Sequence, residues 1–136
     1  MKRLEFAFLV FFICCSANAQ YNKGVVLETI LKTDTTSIGQ KIVYPHFEND
    51  EVSIVKVTIP PGKSTGWHKH VFPVFAYVLQ GTLTVEVENR KTLRFTAGSS
   101  LSEVINILHN GLNKGKEDVV LIAFFMGEKG KPLSVH

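Results

Sequence analysis

Apolar and polar residues alternate along several short stretches of the chain, which is the mark of strands with one buried and one wet face. Within 51–59, Val55, Val57 and Ile59 alternate with Lys56 and Thr58. Within 82–88, Leu83, Val85 and Val87 alternate with Thr82, Thr84, Glu86 and Glu88. Residues 75–79 and 118–126 are apolar almost throughout, and the second run suits a central strand. Further strands are expected over 25–31, 40–44 and 92–95, the last pairing back after an Asn89-Arg90 turn. Residues 100–107 read as a mixed extended segment, Asn110-Gly111 as turn chemistry, and 127–136 as an irregular tail interrupted by Pro132. No stretch keeps a helical period, and turn residues recur about every ten positions. The expectation is an all-β sandwich or barrel.

The first nineteen residues break this pattern. Lys2 and Arg3 precede an apolar run from Leu4 to Cys15, broken only by Glu5, and Ala17-Asn18-Ala19 follows. This is the form of a secretory signal peptide cut before Gln20, and the run is shorter than the ~20 residues a membrane-spanning helix needs. The expected organisation is a signal peptide at 1–19 and one domain at 20–136, periplasmic or secreted and free of the membrane after cleavage. Both cysteines, Cys14 and Cys15, fall in the leader, so the mature domain has neither a disulfide nor a thiolate ligand. The net charge of +3 becomes +2 without 1–19, and the cations are scattered among acids. Such a surface offers nothing to nucleic acid.

Candidate chemistry is concentrated after the Pro60-Pro61-Gly62 turn. His68 and His70 are two residues apart, so in an extended chain both imidazoles face the same way. His109 comes from a later extended segment, and three imidazoles on neighbouring strands can form one face of a metal site. Glu103, six residues before His109, reads in three ways: a fourth ligand, a base beside the metal, or a solvent-facing carboxylate. Tyr77 is a candidate for lining the pocket, or else a core strand residue. Trp67 should point away from His68 into core or rim packing. His46 and His136 match no pattern and are expected on the surface. Asn113 is expected to fix a turn rather than touch substrate.

These spacings closely resemble the cupin superfamily. Its first motif, Gly-x5-His-x-His-x3,4-Glu-x6-Gly, is matched by Gly62, His68, His70 and Gly81. Its second, Gly-x5-Pro-x-Gly-x2-His-x3-Asn, is matched by Gly98, His109 and Asn113. The family carboxylate falls on Val74, and the second-motif Pro and Gly are Val104 and Asn106. The resemblance implies a double-stranded β-helix, or jelly-roll barrel, with His68, His70 and His109 as ligands of a divalent transition metal: Fe, Mn, Ni, Cu or Zn. It is similar to cupins that use three histidines alone, which implies an oxygenase-like oxidoreductase acting on a small organic molecule. A non-catalytic module binding metal or a small ligand, and a structural cupin with a vestigial site, are the alternatives. Pairing through edge strands, as cupins do, implies a possible homodimer with 25–31 as a candidate edge.

Overall fold

The computed structural model describes residues 24–136. The segment 1–19, read as a signal peptide, lies outside them. Seven strands follow in order: β1 (Asp50–Ile59), β2 (Val74–Gln80), β3 (Thr82–Val87), β4 (Leu93–Thr96), β5 (Ser100–Ser102), β6 (His109–Asn113) and β7 (Val119–Glu128). No helix occurs among the described residues. A four-stranded sheet, β1-β7-β2-β5, faces a three-stranded one, β4-β3-β6, and every strand pair is antiparallel. This is the all-β barrel that the alternating pattern predicts.

The alternation decides which side chains meet. Ile59, Val74, Ala76, Val78, Leu121 and Ala123 point inward from the larger sheet, and Leu83, Val85 and Val87 from the smaller. Fully burying each of the Val, Leu and Ile side chains among them is worth roughly 1.5–3 kcal/mol, and no cysteine lies among the described residues to add a disulfide. Isolated bridges tie the β1–β2 connection to the rest of the barrel: Ser64 to Leu112 and His68 to His109 on β6, and His70 to Ile105 after β5. The histidine stretch is therefore pinned to β6 and to the segment after β5.

Gly81 makes the tightest corner. It has φ +75°, and a Cβ there would lie 2.7 Å from the Asp118 carbonyl oxygen. Only glycine fits both the left-handed backbone and the close approach.

Three local expectations change and a fourth narrows. Residues 25–31 pair with no strand and are exposed, since apolar character alone does not make a strand. Residues 40–44 shrink to one bridge, Thr35 to Lys41, because the Gln40 side chain clamps the Ile105 backbone instead, at 3.0 and 3.1 Å. Asn110-Gly111 lies inside β6 rather than at a turn. A Cβ on Gly111 would sit 3.4 Å from Leu83 and from Thr65, so this glycine serves a close approach between strands. Of the two placements expected of Trp67, core or rim, the core is ruled out, since the residue is 47% exposed.

Candidate metal centre

Four side chains converge at one end of the barrel. His68 and His70 come from the stretch joining β1 to β2, His109 opens β6, and Glu103 immediately follows β5. Their ligating atoms all lie within 4.8 Å of one another. Glu103 Oε2 is 3.1 Å from His70 Nε2 and 3.0 Å from His109 Nε2. The ring centroids of His68 lie 5.0 Å from His70 and 4.5 Å from His109. His70 and His109 are each 3% exposed and Glu103 is 15% exposed, while His68 is half-buried.

Val74, where the first motif would carry a carboxylate, is wholly buried and pairs with Phe125 on β7. It packs and cannot ligate. A carboxylate nevertheless reaches the site from Glu103, whose backbone N–H donates to the Val74 carbonyl at 2.8 Å. The two positions are therefore neighbours across the β2–β5 pairing.

The second nitrogen of each ring explains the orientation of the first. His68 Nδ1 donates to the Gly66 carbonyl at 2.8 Å, His70 Nδ1 to Leu133 at 2.8 Å and His109 Nδ1 to Ile107 at 3.0 Å. A carbonyl oxygen can only accept, so the proton is on Nδ1 in all three rings. Nε2 is left to face the centre, which is how ligand imidazoles are held. An ionised carboxylate is likewise acceptor-only. Nε2 atoms 3.0–3.1 Å from it need something positive between the lone pairs: protons when the site is metal-free, a cation when it is loaded. The same separation suits adjacent ligands at right angles around an ion bound at about 2.1 Å. Three imidazole nitrogens and one carboxylate oxygen thus fit a divalent transition metal, without choosing among them.

Electrostatics follow the same geometry. Burial alone would raise the Glu103 carboxyl, but hydrogen bonds from His109 and His70 outweigh it and carry the group from 4.5 down to about 2. Burial likewise pulls His109 down, and the hydrogen bond and charge of Glu103 overcome it, so His109 ends above its ordinary 6.5. His68 lacks a carboxylate contact of that kind. Burial lowers it, and its bond to Gly66 offsets this only in part.

A cavity of about 80 Å³ lies against the cluster. The rest of its wall is mostly apolar, with Val57, Ile59, Leu83, Val85, Leu121 and Phe125 among its lining. It is well below the ~300–1,000 Å³ of sites for drug-sized ligands, so it suits a ligand of few heavy atoms. Thr65 also lines it, with Oγ1 accepting from the Gly111 N–H at 2.9 Å. Sequence reasoning passed over Thr65, although its place three residues before His68 is a usable signal. Tyr77 does not reach the site. It alternates with Ala76 and Val78, which point inward, so its ring is on the outer face of β2. Asn113 holds the turn after β6: its Nδ2 donates to Ile59 and Glu117, both at 2.7 Å, and its Oδ1 accepts from Gly115 at 2.9 Å.

The family model for the cupin domain matches residues 55–125. Among solved structures, a cupin domain from Bordetella pertussis Tohama I is 25% identical, with a TM-score of 0.51, over 60% of this chain and 86% of its own. A DMSP lyase from Ruegeria pomeroyi DSS-3 is 15% identical, with a TM-score of 0.53, over 60% of this chain and 41% of its own. A Thermotoga maritima protein described as a predicted oxalate decarboxylase is 26% identical, with a TM-score of 0.48, over 54% of this chain and 64% of its own. The chain thus spans less than two thirds of the last two proteins. A comparison with curated proteins finds no match.

Proposed function

The chain belongs to the cupin family, and from that premise we propose that it is an exported, metal-dependent oxidoreductase of oxygenase-like character, acting on a small organic substrate. The supporting observation is the convergence of three imidazoles and one carboxylate, their ligating atoms within 4.8 Å of one another, beside a small, mostly apolar cavity. His68, His70, His109 and Glu103 would hold Fe, Mn, Ni, Cu or Zn as the divalent ion. Such an ion supplies positive charge and open coordination positions for a small oxygen donor. Neutral imidazoles and one carboxylate leave a divalent ion with a net charge of +1, which favours a monoanionic ligand. The apolar wall shields the ligand's carbon skeleton from water, and the cavity limits its size. The DMSP lyase shares the fold alone, so the choice of reaction rests on the site.

Metal content of the protein recovered from the extracytoplasmic fraction, followed by oxygen consumption by the iron-loaded form, tests this reading. A protein that binds no metal, and whose stability is indifferent to His68→Ala, would overturn it. The small cavity also favours a second reading, a non-catalytic module that holds metal or a small ligand, and metal binding without oxygen consumption would select it. A vestigial site loses its main support, since a carboxylate stands within reach despite Val74.

Pairing of two copies through the outer face of the larger sheet belongs to the same proposal. β7 is apolar on both faces, with Val120, Ile122, Phe124 and Met126 outward, and the neighbouring Val52 and Ile54 of β1 are 58% and 63% exposed. Strands apolar on both faces are normally covered on both. Residues 25–31, apolar and exposed on their own chain, supply a second copy with matching surface. Sedimentation should show a dimer that Ile54→Lys dissociates, and a wild-type monomer at micromolar concentration would refute the pairing.

A further inference from the structure

The three carbonyls that orient the imidazoles differ in origin. His68 and His109 find theirs two residues upstream in their own stretch, at Gly66 and Ile107. His70 finds its partner at Leu133, 63 positions away. Leu133 belongs to residues 131–136, which the sequence presents only as an irregular tail.

That segment is fastened directly to the histidine stretch. The Lys69 N–H donates to the Val135 carbonyl at 2.8 Å, and the Val135 N–H returns the bond to Lys69 at 3.0 Å. His136 Nδ1 donates to the Trp67 carbonyl at 2.9 Å. The Leu133 side chain packs against the core. Lys69 sits between the two histidines, so the paired segment runs directly behind them.

We propose that residues 131–136 are a positioning strap of the metal centre, in which the Leu133 carbonyl holds the proton of His70 on Nδ1 and thereby aims Nε2 at the ion. This rests on the metal reading above. An acceptor at Nδ1 fixes both the tautomer and the ring plane of a ligand imidazole. Without the Leu133 carbonyl nothing favours a proton on Nδ1, and the ring can rest as the tautomer protonated only on Nε2, towards Glu103, where that proton competes with the ion. Water has little room to replace the carbonyl. The His70 ring is 3% exposed and lies edge-on to Phe125, with centroids 5.4 Å apart, while Phe72 stacks on it at 6.5 Å. The strap therefore does for His70 what local chain geometry does for the other two ligands. The site is complete only when the strap is docked.

Two variants test this beside the full chain: one ending after Pro132, and Val135→Pro, which keeps Leu133 but removes a hydrogen bond that fastens the strap. Nitrogen-15 NMR of the metal-free proteins reports whether Nδ1 of each histidine is protonated, and calorimetry reports Zn²⁺ affinity. The shortened chain should lose the Nδ1 proton of His70 while His68 and His109 keep theirs. Its Zn²⁺ affinity should fall by about 10–100-fold, as for other lost partners of ligand imidazoles, with Val135→Pro in between. An unchanged His70 signal, or unchanged Zn²⁺ affinity in both variants, overturns the proposal. If the full chain binds no Zn²⁺, the metal reading fails and the NMR comparison still decides the strap. If the shortened chain does not fold, Val135→Pro decides it.

Discussion

Replacing Glu103 by Gln should remove most of the pH dependence of the metal-free protein's stability. The carboxyl is held at about 2, against 4.5 in the unfolded chain. At about 1.4 kcal/mol per decade, that corresponds to roughly 3 kcal/mol. The sign follows from the direction of the shift. A depressed carboxyl stabilises above its unfolded value, and that stability is lost as pH falls from 4.5 towards 2. His109 is shifted the other way, so its contribution is complete below 6.5 and is lost as pH rises through its higher folded value. The His109 shift is part of the Glu103 shift seen from its other end and is counted once. The pair therefore contributes most between 4.5 and 6.5. His68 acts against His109, because its lowered value costs stability as pH falls below 6.5. The alkaline limb should accordingly be shallower than the acid one. Urea denaturation of the chelator-treated protein across pH 2–8 measures the profile. The wild type should peak near pH 5–6, and Glu103→Gln should lose up to about 3 kcal/mol there and converge with it at the acid extreme. A wild-type profile that is flat from pH 5 down to 2, or a Gln variant with an equally steep acid limb, would refute the reasoning.

Other outcomes follow from single residues. A divalent transition metal at 100 times its dissociation constant should stabilise the protein by about 2.7 kcal/mol, and His109→Ala should abolish that gain in a thermal melt with and without chelator. Gly81→Ala, which meets the Asp118 carbonyl at 2.7 Å with φ at +75°, should destabilise by at least about 1–3 kcal/mol in chemical denaturation. Asn113→Leu removes two donated bonds and one accepted bond from a buried amide, and should cost about 2–4 kcal/mol by the same measurement. Tyr77→Phe, on the outer face of β2, should leave metal affinity by calorimetry unchanged.

What could be read in advance depended on how local its cause was. The strand pattern was legible because alternation is a property of consecutive residues, and β1, β3 and β7 appear within a residue or two of their expected limits. The shared direction of His68 and His70 followed from the same two-residue period. Glu103 stayed open among three roles because its direction depends on a short strand, β5, whose register is set by pairing with β2 rather than by its own sequence. Residues 25–31 misled for the converse reason: they have the composition of a strand, and a strand also needs an edge to pair with. Leu133 was the least accessible of all. Its role lies in a backbone carbonyl, which every residue carries, so no side chain advertises it. Spacing along the chain can thus nominate ligand side chains, while the groups that aim them come from whichever backbone the fold brings alongside. A site reconstructed from ligand spacing alone would contain all three histidines and lack the contact that orients His70.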